Sequence, residues 1–319
     1  MSQPQSRPQP KNALAEEILA GLDRMFGLHP GFRAVHAKGV ICRGSFTPAK
    51  DAVNLTCAPH VMRSQTPVVV RFSDFAGVPT VPDNDASVAS PRGIAIRFCL
   101  AEHVHTDIVA HSHDGFPTAN GEQFLEFVRA VVASGPDAAK PTPLDRFLAE
   151  HPAAARFATA PKPIPTSFAR EAFFGVSALK FTNQQGASRF GRYRILPADG
   201  TEYLAADEAA RKSPDFLFEE LPARLAQGEI KFRILVQLAE RGDDTSDPTA
   251  VWPATRQQHE LGTISVNEHP DQADRELRKI IFDPIPRING IEPSADPLWQ
   301  LRADIYLMSG RRRRAASGL

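Results

Sequence analysis

Eight short runs rich in Val, Ile and Phe, separated by clusters of Pro, Asp and Asn, constrain this fold more than any other feature of the chain. The first four are RAVHAKGVICRGSF, PVVVRFSDF, RGIAIRFCL and HTDIVAHSH, from about residue 33 to 111. The second four are AFFGVSALKFT, ASRFGRYRILP, IKFRILVQLAE and HELGTISVNE. Runs of this length and composition read as strands, and strands left at an open edge invite pairing with other chains. Two sets of four therefore predict an α+β fold built on one closed, eight-stranded antiparallel β-barrel with helices attached to it. The sets are not copies of each other, and no composition break marks a second domain, so residues 11–319 are expected to form one domain.

Leu14, Ile18, Leu22 and Met25 recur at helical spacing ahead of Gly27, which predicts a docking helix. Asn120 and Gln123 have the spacing of a capping box for EQFLEFVRAVVAS, whose Phe124, Phe127, Val128 and Val131 form one stripe. Residues 135–170 are a Pro-rich connection with helical character, and a further helix is expected to start at Ser213 and Pro214 and stop at Gly228. Residues 1–10, mostly Pro, Gln and Ser, carry too little apolar surface to order themselves and are expected to be a disordered tail. No apolar run approaches the ~18 residues of a membrane span, and no signal-peptide core is present, so a cytoplasmic protein without membrane attachment is expected. The 37 basic and 37 acidic residues balance, with no basic stripe before the last turn of the chain, which argues against nucleic acid and for a small or neutral substrate. Cys42, Cys57 and Cys99 are widely spaced and lack a C-x-x-C pair, as expected of a reducing compartment.

The segment GIEPSADPLWQLRADIYLMSGRRRR, residues 290–314, carries the most chemistry. Asp296 and Pro297 mark a helix start, and Gly310 is the first breaker after them. Arg302 and Tyr306 therefore lie one turn apart on one helix face. Holding a tyrosine as phenolate at neutral pH costs roughly 4 kcal/mol against its ordinary pKa of about 10. A guanidinium that keeps its charge supplies part of that, and a bound ferric ion would supply more. Spacing by itself is more often that of an aromatic core residue packed beside an arginine stem. In the first run, His36 is the candidate acid and base, because its pKa lets it take and return a proton within one turnover. On a strand, His36 and Lys38 share a face and Arg33 points to the other. Arg33 and His36 can then serve one ligand only if Arg33 precedes the strand or a bulge intervenes. A solitary strand histidine is more often a hydrogen-bonded core residue than a catalyst.

H-A-K-G at 36–39, V-R-F-S at 70–73, P-R-G at 91–93, D-I-V at 107–109, G-I-E-P-S at 290–294 and R-x-x-x-Y at 302–306 follow one another in the order seen in haem catalases. Over roughly residues 30–313 the chain resembles that family, in the short form called catalase-related peroxidase or minimal catalase. The N-terminal arm and C-terminal additions of long catalases are expected to be missing. The resemblance implies that Tyr306 is the axial ligand of the iron of haem b, tyrosine being the haem ligand general to catalases, with Arg302 keeping it ionised. It implies that His36 is the distal acid and base, that Val35 stands beside it at the substrate entrance, and that the Ser73 hydroxyl orients it. Arg33, Arg71 and Arg313 match positions that pair with haem propionates, and Phe124 matches the aromatic packed on the distal face. For Arg313, a solvated basic tail over Arg311 to Arg314 accounts for the residue equally well.

One departure stands out. Where catalases carry an asparagine amide that holds peroxide over the iron, this chain has His111, whose tautomer and direction decide whether it can donate in the same way. The resemblance therefore implies a peroxidase that reduces hydrogen peroxide or organic hydroperoxides with a small organic reductant, with weak or no disproportionation of hydrogen peroxide. A catalase proper, a hydroperoxide-rearranging enzyme of the allene oxide synthase kind, a haem carrier or sensor, and a barrel without haem remain open. A homodimer is the expected assembly. His111 with His113, and His103 with His105, have the i, i+2 spacing of zinc or copper pairs but no third ligand at a telling distance, so solvated or hydrogen-bonded histidines are expected there. No G-x-x-x-x-G-K, G-x-G-x-x-G or H-E-x-x-H is present.

Overall fold

The computed structural model describes residues 12–318, so the expected tail at 1–10 lies outside the described residues. The predicted runs become β1 (Gly39–Pro48), β2 (Thr66–Ser73), β3 (Gly93–Ala101), β4 (Val104–His111), β5 (Phe173–Phe174), β6 (Leu179–Thr182), β7 (Ser188–Pro197), β8 (Ile230–Leu238) and β9 (Gln258–Glu268). A short β10 (Ile291–Pro293), not foreseen, pairs with β6. Every pairing is antiparallel, and the ring runs β7-β5-β4-β3-β2-β1-β9-β8 before β8 meets β7 again. The run AFFGVSALKFT is two strands rather than one. After Phe174 the chain leaves the sheet and rejoins it at Leu179, and β5 and β6 share the same edge of β7.

Alternation decides what each strand buries. On β2, Val68, Val70 and Phe72 are buried in the main apolar core, as are Ile94, Ile96 and Phe98 on β3. The barrel is filled by phenylalanines: Phe72 stacks on Phe168 at 5.4 Å and approaches Phe232 at 5.8 Å. Each such side chain contributes about 1.5–3 kcal/mol by leaving water. The alternate residues, Arg71 and Ser73 on β2, Gly93 and Ala95 on β3 and Val109 on β4, face outward, and together they form one wall of a cavity.

The helices are α1 (Ala13–Phe26), α2 (Ala86–Ala89), α3 (Gly121–Val132), α4 (Pro143–Glu150), α5 (Pro152–Thr159), α6 (Ala206–Ala210), α7 (Phe216–Leu225), α8 (Arg275–Lys279) and α9 (Leu298–Ala316). The predicted docking helix is α1, whose Ile18, Leu19 and Leu22 pack with Leu125 and Val128 of α3 and Ile305 of α9. It thereby braces the helix that carries Tyr306. Asn120 Oδ1 accepts from the backbone of Gln123 at 2.9 Å, but the Gln123 side chain reaches Ala119 N instead of the cap residue. The helix expected from Ser213 begins at Phe216, because Lys38 holds the preceding turn through Pro214 O and the Asp215 carboxylate. Gly310 does not stop α9, which runs on to Ala316. A Cβ at that position would come within 2.4 Å of Ile281, so the glycine answers a close crossing of chains. Among the described residues no helix is long and apolar enough to cross a membrane.

Candidate functional site

His36 is not on a strand. It precedes β1 with φ +56, a left-handed backbone that non-glycine residues seldom adopt. Tertiary bonds hold it there: His36 N donates to Phe75 O at 2.7 Å, Ala37 N to Ala76 O at 3.0 Å, and the Arg71 guanidinium to His36 O at 2.8 Å. Arg33 also lies ahead of the strand, which lets it share a ligand with His36. Lys38 goes elsewhere, to a buried ion pair with Asp83 at 2.5 Å. The His36 ring is fixed at one nitrogen, Nδ1 lying 3.1 Å from Ser73 Oγ, and the Phe75 ring meets it edge-on at 5.8 Å. Burial, reinforced by the charge of Arg71, pushes the imidazole down to about 3, so it is neutral at physiological pH.

His36 and Tyr306 line one cavity from different walls. On α9 the lining residues Tyr306, Ser309, Gly310 and Arg313 follow the i, i+3, i+4, i+7 rule of a single helix face. Ser309 and Gly310 were missed as site residues, although that spacing from Tyr306 could have found them. Ser309 Oγ accepts from Ala34 N at 3.2 Å and ties α9 to the loop carrying His36. Val35 lines the cavity as expected, and Ile280, Ile281 and Phe282 add an apolar side that no local motif announces. Gly93 supplies room. A Cβ there would lie 2.7 Å from Ser73 Oγ and 2.8 Å from the His36 ring. Gly93→Ala is expected to cost about 1–3 kcal/mol of stability by overpacking, measured by denaturant unfolding.

Arg33, Arg71 and Arg313 meet at one end of the cavity. Their bonds go to backbone carbonyls: Arg33 to Ile280 O at 3.1 Å, Arg71 to His36 O, and Arg313 to Ile280 O at 2.9 Å. Arg313 Nε is buried without any partner. Burial lowers all three first; repulsion from Arg71 and Arg313 adds to it for Arg33, from Arg313 for Arg71, and from Arg314 and Arg278 for Arg313, leaving Arg33 well below the usual guanidinium range, Arg71 at about 9 and Arg313 at about 10. Asp74 partly offsets the charge of Arg71, but among the described residues no carboxylate is in ion-pair contact with any of the three, and cations gathered this way call for a bound anion. An apolar cavity with a phenol, an imidazole and an anion-seeking end fits a haem with its two propionates.

Three predicted residues stand outside this cavity lining. Phe124 of α3 sits behind it, 5.6 Å from Phe116, in the apolar cluster that also holds Val35 and Tyr306. Arg302 points its guanidinium 5.9 Å from the Tyr306 ring centroid and bonds Ser177 Oγ at 3.4 Å, in a separate gap of the barrel wall. His111 lies opposite Gly93 on one side and Phe174 on the other. Its Nδ1 accepts from His113 N at 3.3 Å, so the neutral ring carries its proton on Nε2. Burial first, then His113, His36 and Arg302, push it down to about 3.

Burial also pushes His60 down to about 3, so three imidazoles are neutral in the fold. Unfolded, each takes a proton below about pH 6.5. Their contribution to stability is complete above that pH and is lost as pH falls toward 3. Asp74, pushed up to about 8 by burial, opposes this trend. His60→Leu removes one of the three protons, so unfolding free energy between pH 4 and 6 should become shallower by about 1.4 kcal/mol per pH unit, measured by urea titration across that range.

A model of the catalase family matches residues 31–317. The chain is 35% identical over 290 residues to a catalase-related peroxidase of Mycolicibacterium paratuberculosis, with 90% of each chain covered. It is 31% identical over 303 residues to a catalase-related peroxidase of Synechococcus elongatus, covering 93% of this chain and 88% of that protein. Among solved structures, a fungal catalase superposes with a TM-score of 0.78 at 22% identity, covering 98% of this chain and 65% of its own. Catalase A from Saccharomyces cerevisiae gives 0.78 at 21% identity, covering 98% and 67%. The chain thus spans about two thirds of these longer structures, and the likeness to them is one of fold.

Proposed function

The chain belongs to the catalase family, and on that premise we propose that it is a haem-dependent peroxidase, reducing hydrogen peroxide or organic hydroperoxides with a small organic electron donor. The observation that carries the proposal is one cavity joining a phenol, a neutral serine-held imidazole and three guanidiniums without carboxylate partners. When bound, haem b supplies the redox centre at which the peroxide bond is cleaved and to which the donor returns two electrons. Tyr306 would hold the iron, with the Arg302 guanidinium 5.9 Å from its ring centroid. Arg33, Arg71 and Arg313 would take the propionates through charge-assisted bonds.

His36 does the proton work. With Nδ1–H donating to Ser73 Oγ, Nε2 is the unprotonated nitrogen, able to accept a proton from one peroxide oxygen and return it to the oxygen that leaves. Its depressed pKa keeps Nε2 open as a base through neutral pH. His111 supports the preference for peroxidase over catalase. Its Nδ1 is occupied by His113 N, so it has one donor to offer where the family's amide has two. The names of the two curated relatives agree with this preference. Three free cysteines support a reducing, cytoplasmic setting.

Steady-state assays decide between the two activities. Peroxide consumption is expected to depend on an added phenolic or azo-dye reductant, with little oxygen released in its absence. Rapid oxygen release from peroxide alone would sink the peroxidase assignment.

A further inference from the structure

The cavity between His36 and Tyr306 has a neighbour. Arg33, Ala34, Ser309 and Arg313 line that cavity on one side and an open groove on the other, so the two spaces share one wall at the arginine end. The groove lies between residues 27–32, which lead from α1 toward His36, and the end of α9 at Ala315 and Ala316. Three contacts set its shape. Ser309 Oγ accepts from Ala34 N at 3.2 Å, the Arg312 guanidinium pairs with Asp23 of α1 at 2.7 Å, and Gly31 crosses Ser317 so closely that a Cβ would come within 2.8 Å of its Oγ. The groove offers about 380 Å³, within the roughly 300–1,000 Å³ of small-molecule sites. Leu28, at 65% exposure, and Phe32, at 47%, leave apolar surface open to water along it.

The charges there are one-sided. Asp23 is the one acid lining the groove, and Arg312 takes it with a single nitrogen; the rest of that guanidinium, on a side chain 41% exposed, is open to a ligand. Behind it, Arg33, Arg71 and Arg313 exceed two propionates by one positive charge, and Arg278 and Arg314 stand near enough to Arg313 to repel it. An aromatic ring suits the apolar side, and one negative charge suits the basic side. We propose that the groove binds the electron donor of the peroxidase, a small phenol carrying a carboxylate, with its ring against Leu28 and Phe32 and its carboxylate on Arg312. The site presupposes the peroxidase reading and gives its reductant a chemical class. Two donors are consumed in each turnover. Each gives one electron across the shared wall and its phenolic proton to water, and the cavity takes up two protons from water. Two phenols and one organic hydroperoxide thus become two phenoxyl radicals, one alcohol and one water, with hydrogen peroxide giving two waters. Leu28, Phe32 and Arg312 line the groove and not the cavity, so they can be changed without altering the place of peroxide cleavage.

The acid p-hydroxyphenylpropionate, its neutral amide and the cation tyramine probe ring and charge separately. With ferric holoenzyme, the paramagnetic iron should shorten the proton relaxation of the acid's ring more than that of the amide, and that of the amide more than that of tyramine. Arg312→Gln should bring the acid to the level of the amide and lower its kcat/KM as donor by at least about tenfold, the loss of one charge-assisted hydrogen bond. Leu28→Ala combined with Phe32→Ala should weaken the relaxation effect for all three probes. In every variant the Soret band and the rate at which peroxide reacts with resting enzyme should keep their wild-type values. Equal use of the three probes, or variants that relax and oxidise them as the wild type does, overturns the groove and leaves the peroxidase standing. If the wild type oxidises azo dyes but none of the phenols, the groove again falls alone; if it oxidises no reductant, both readings fall. A double variant that changes its sedimentation coefficient while donor oxidation is unmoved makes the groove a contact between copies of the chain and also overturns the proposal.

Discussion

Tyr306→Phe is expected to strip the protein of its iron ligand while leaving the fold in place. Phenylalanine keeps the ring that packs with Val35, Ile305 and Met308 in the cluster under α9, so unfolding should be little changed. It lacks the oxygen that would bind the metal. The Soret band of haem bound through tyrosinate should therefore disappear or shift to that of a loosely held haem. Peroxide turnover should fall by at least about 10³-fold, the factor that corresponds to roughly 4 kcal/mol of barrier. Absorption spectra of the purified variant, read beside its unfolding curve, check both halves. A wild-type spectrum with wild-type turnover would remove Tyr306 from the metal.

His36→Ala should have the opposite signature, an intact haem spectrum with peroxide turnover lowered by about 10²–10⁴-fold, the range of a lost general acid and base. Ser73→Ala should cost about tenfold, since it removes one hydrogen bond worth roughly 0.5–1.5 kcal/mol and leaves the ring less firmly aimed. The pH profile separates the imidazole from its neighbours. Because burial and Arg71 hold His36 down near 3, the acid limb of kcat/KM in the wild type should fall near that pH. A limb near 6.5 would mean a ring open to solvent, which the bonds to Ser73 and the contact with Phe75 contradict.

The barrel was legible because short runs rich in Val, Ile and Phe end at clusters of Pro, Asp and Asn. Which face of β2 meets the core was not, since Arg71 and Ser73 in the cavity wall are buried as well as Val68, Val70 and Phe72. The Arg302 and Tyr306 pair was legible because one helical turn brings them together wherever the helix docks. What local pattern could not reveal is where long-range contacts overrule it. R-A-V-H-A-K-G-V alternates like a strand, yet Phe75 O and Ala76 O take the backbone protons of His36 and Ala37 and start β1 only at Gly39. Gly310 has the propensity of a helix stop, and the crossing of Ile281, distant in sequence, is what requires a small residue there. His60 carries no signal of its own. Its solitude among Phe46 and Phe98 follows from the closure of the barrel.

The backbone at residue 36 carries a consequence for how this position can vary. With φ at +56, the site admits glycine, asparagine, aspartate or histidine at modest cost and penalises any β-branched side chain. A library randomised at this codon and sorted only for soluble expression should be enriched in those few residues before any selection for chemistry. Tolerance of the left-handed bend and competence as a proton carrier are separate filters, and histidine is the member of the tolerated set that titrates near neutrality when free in water.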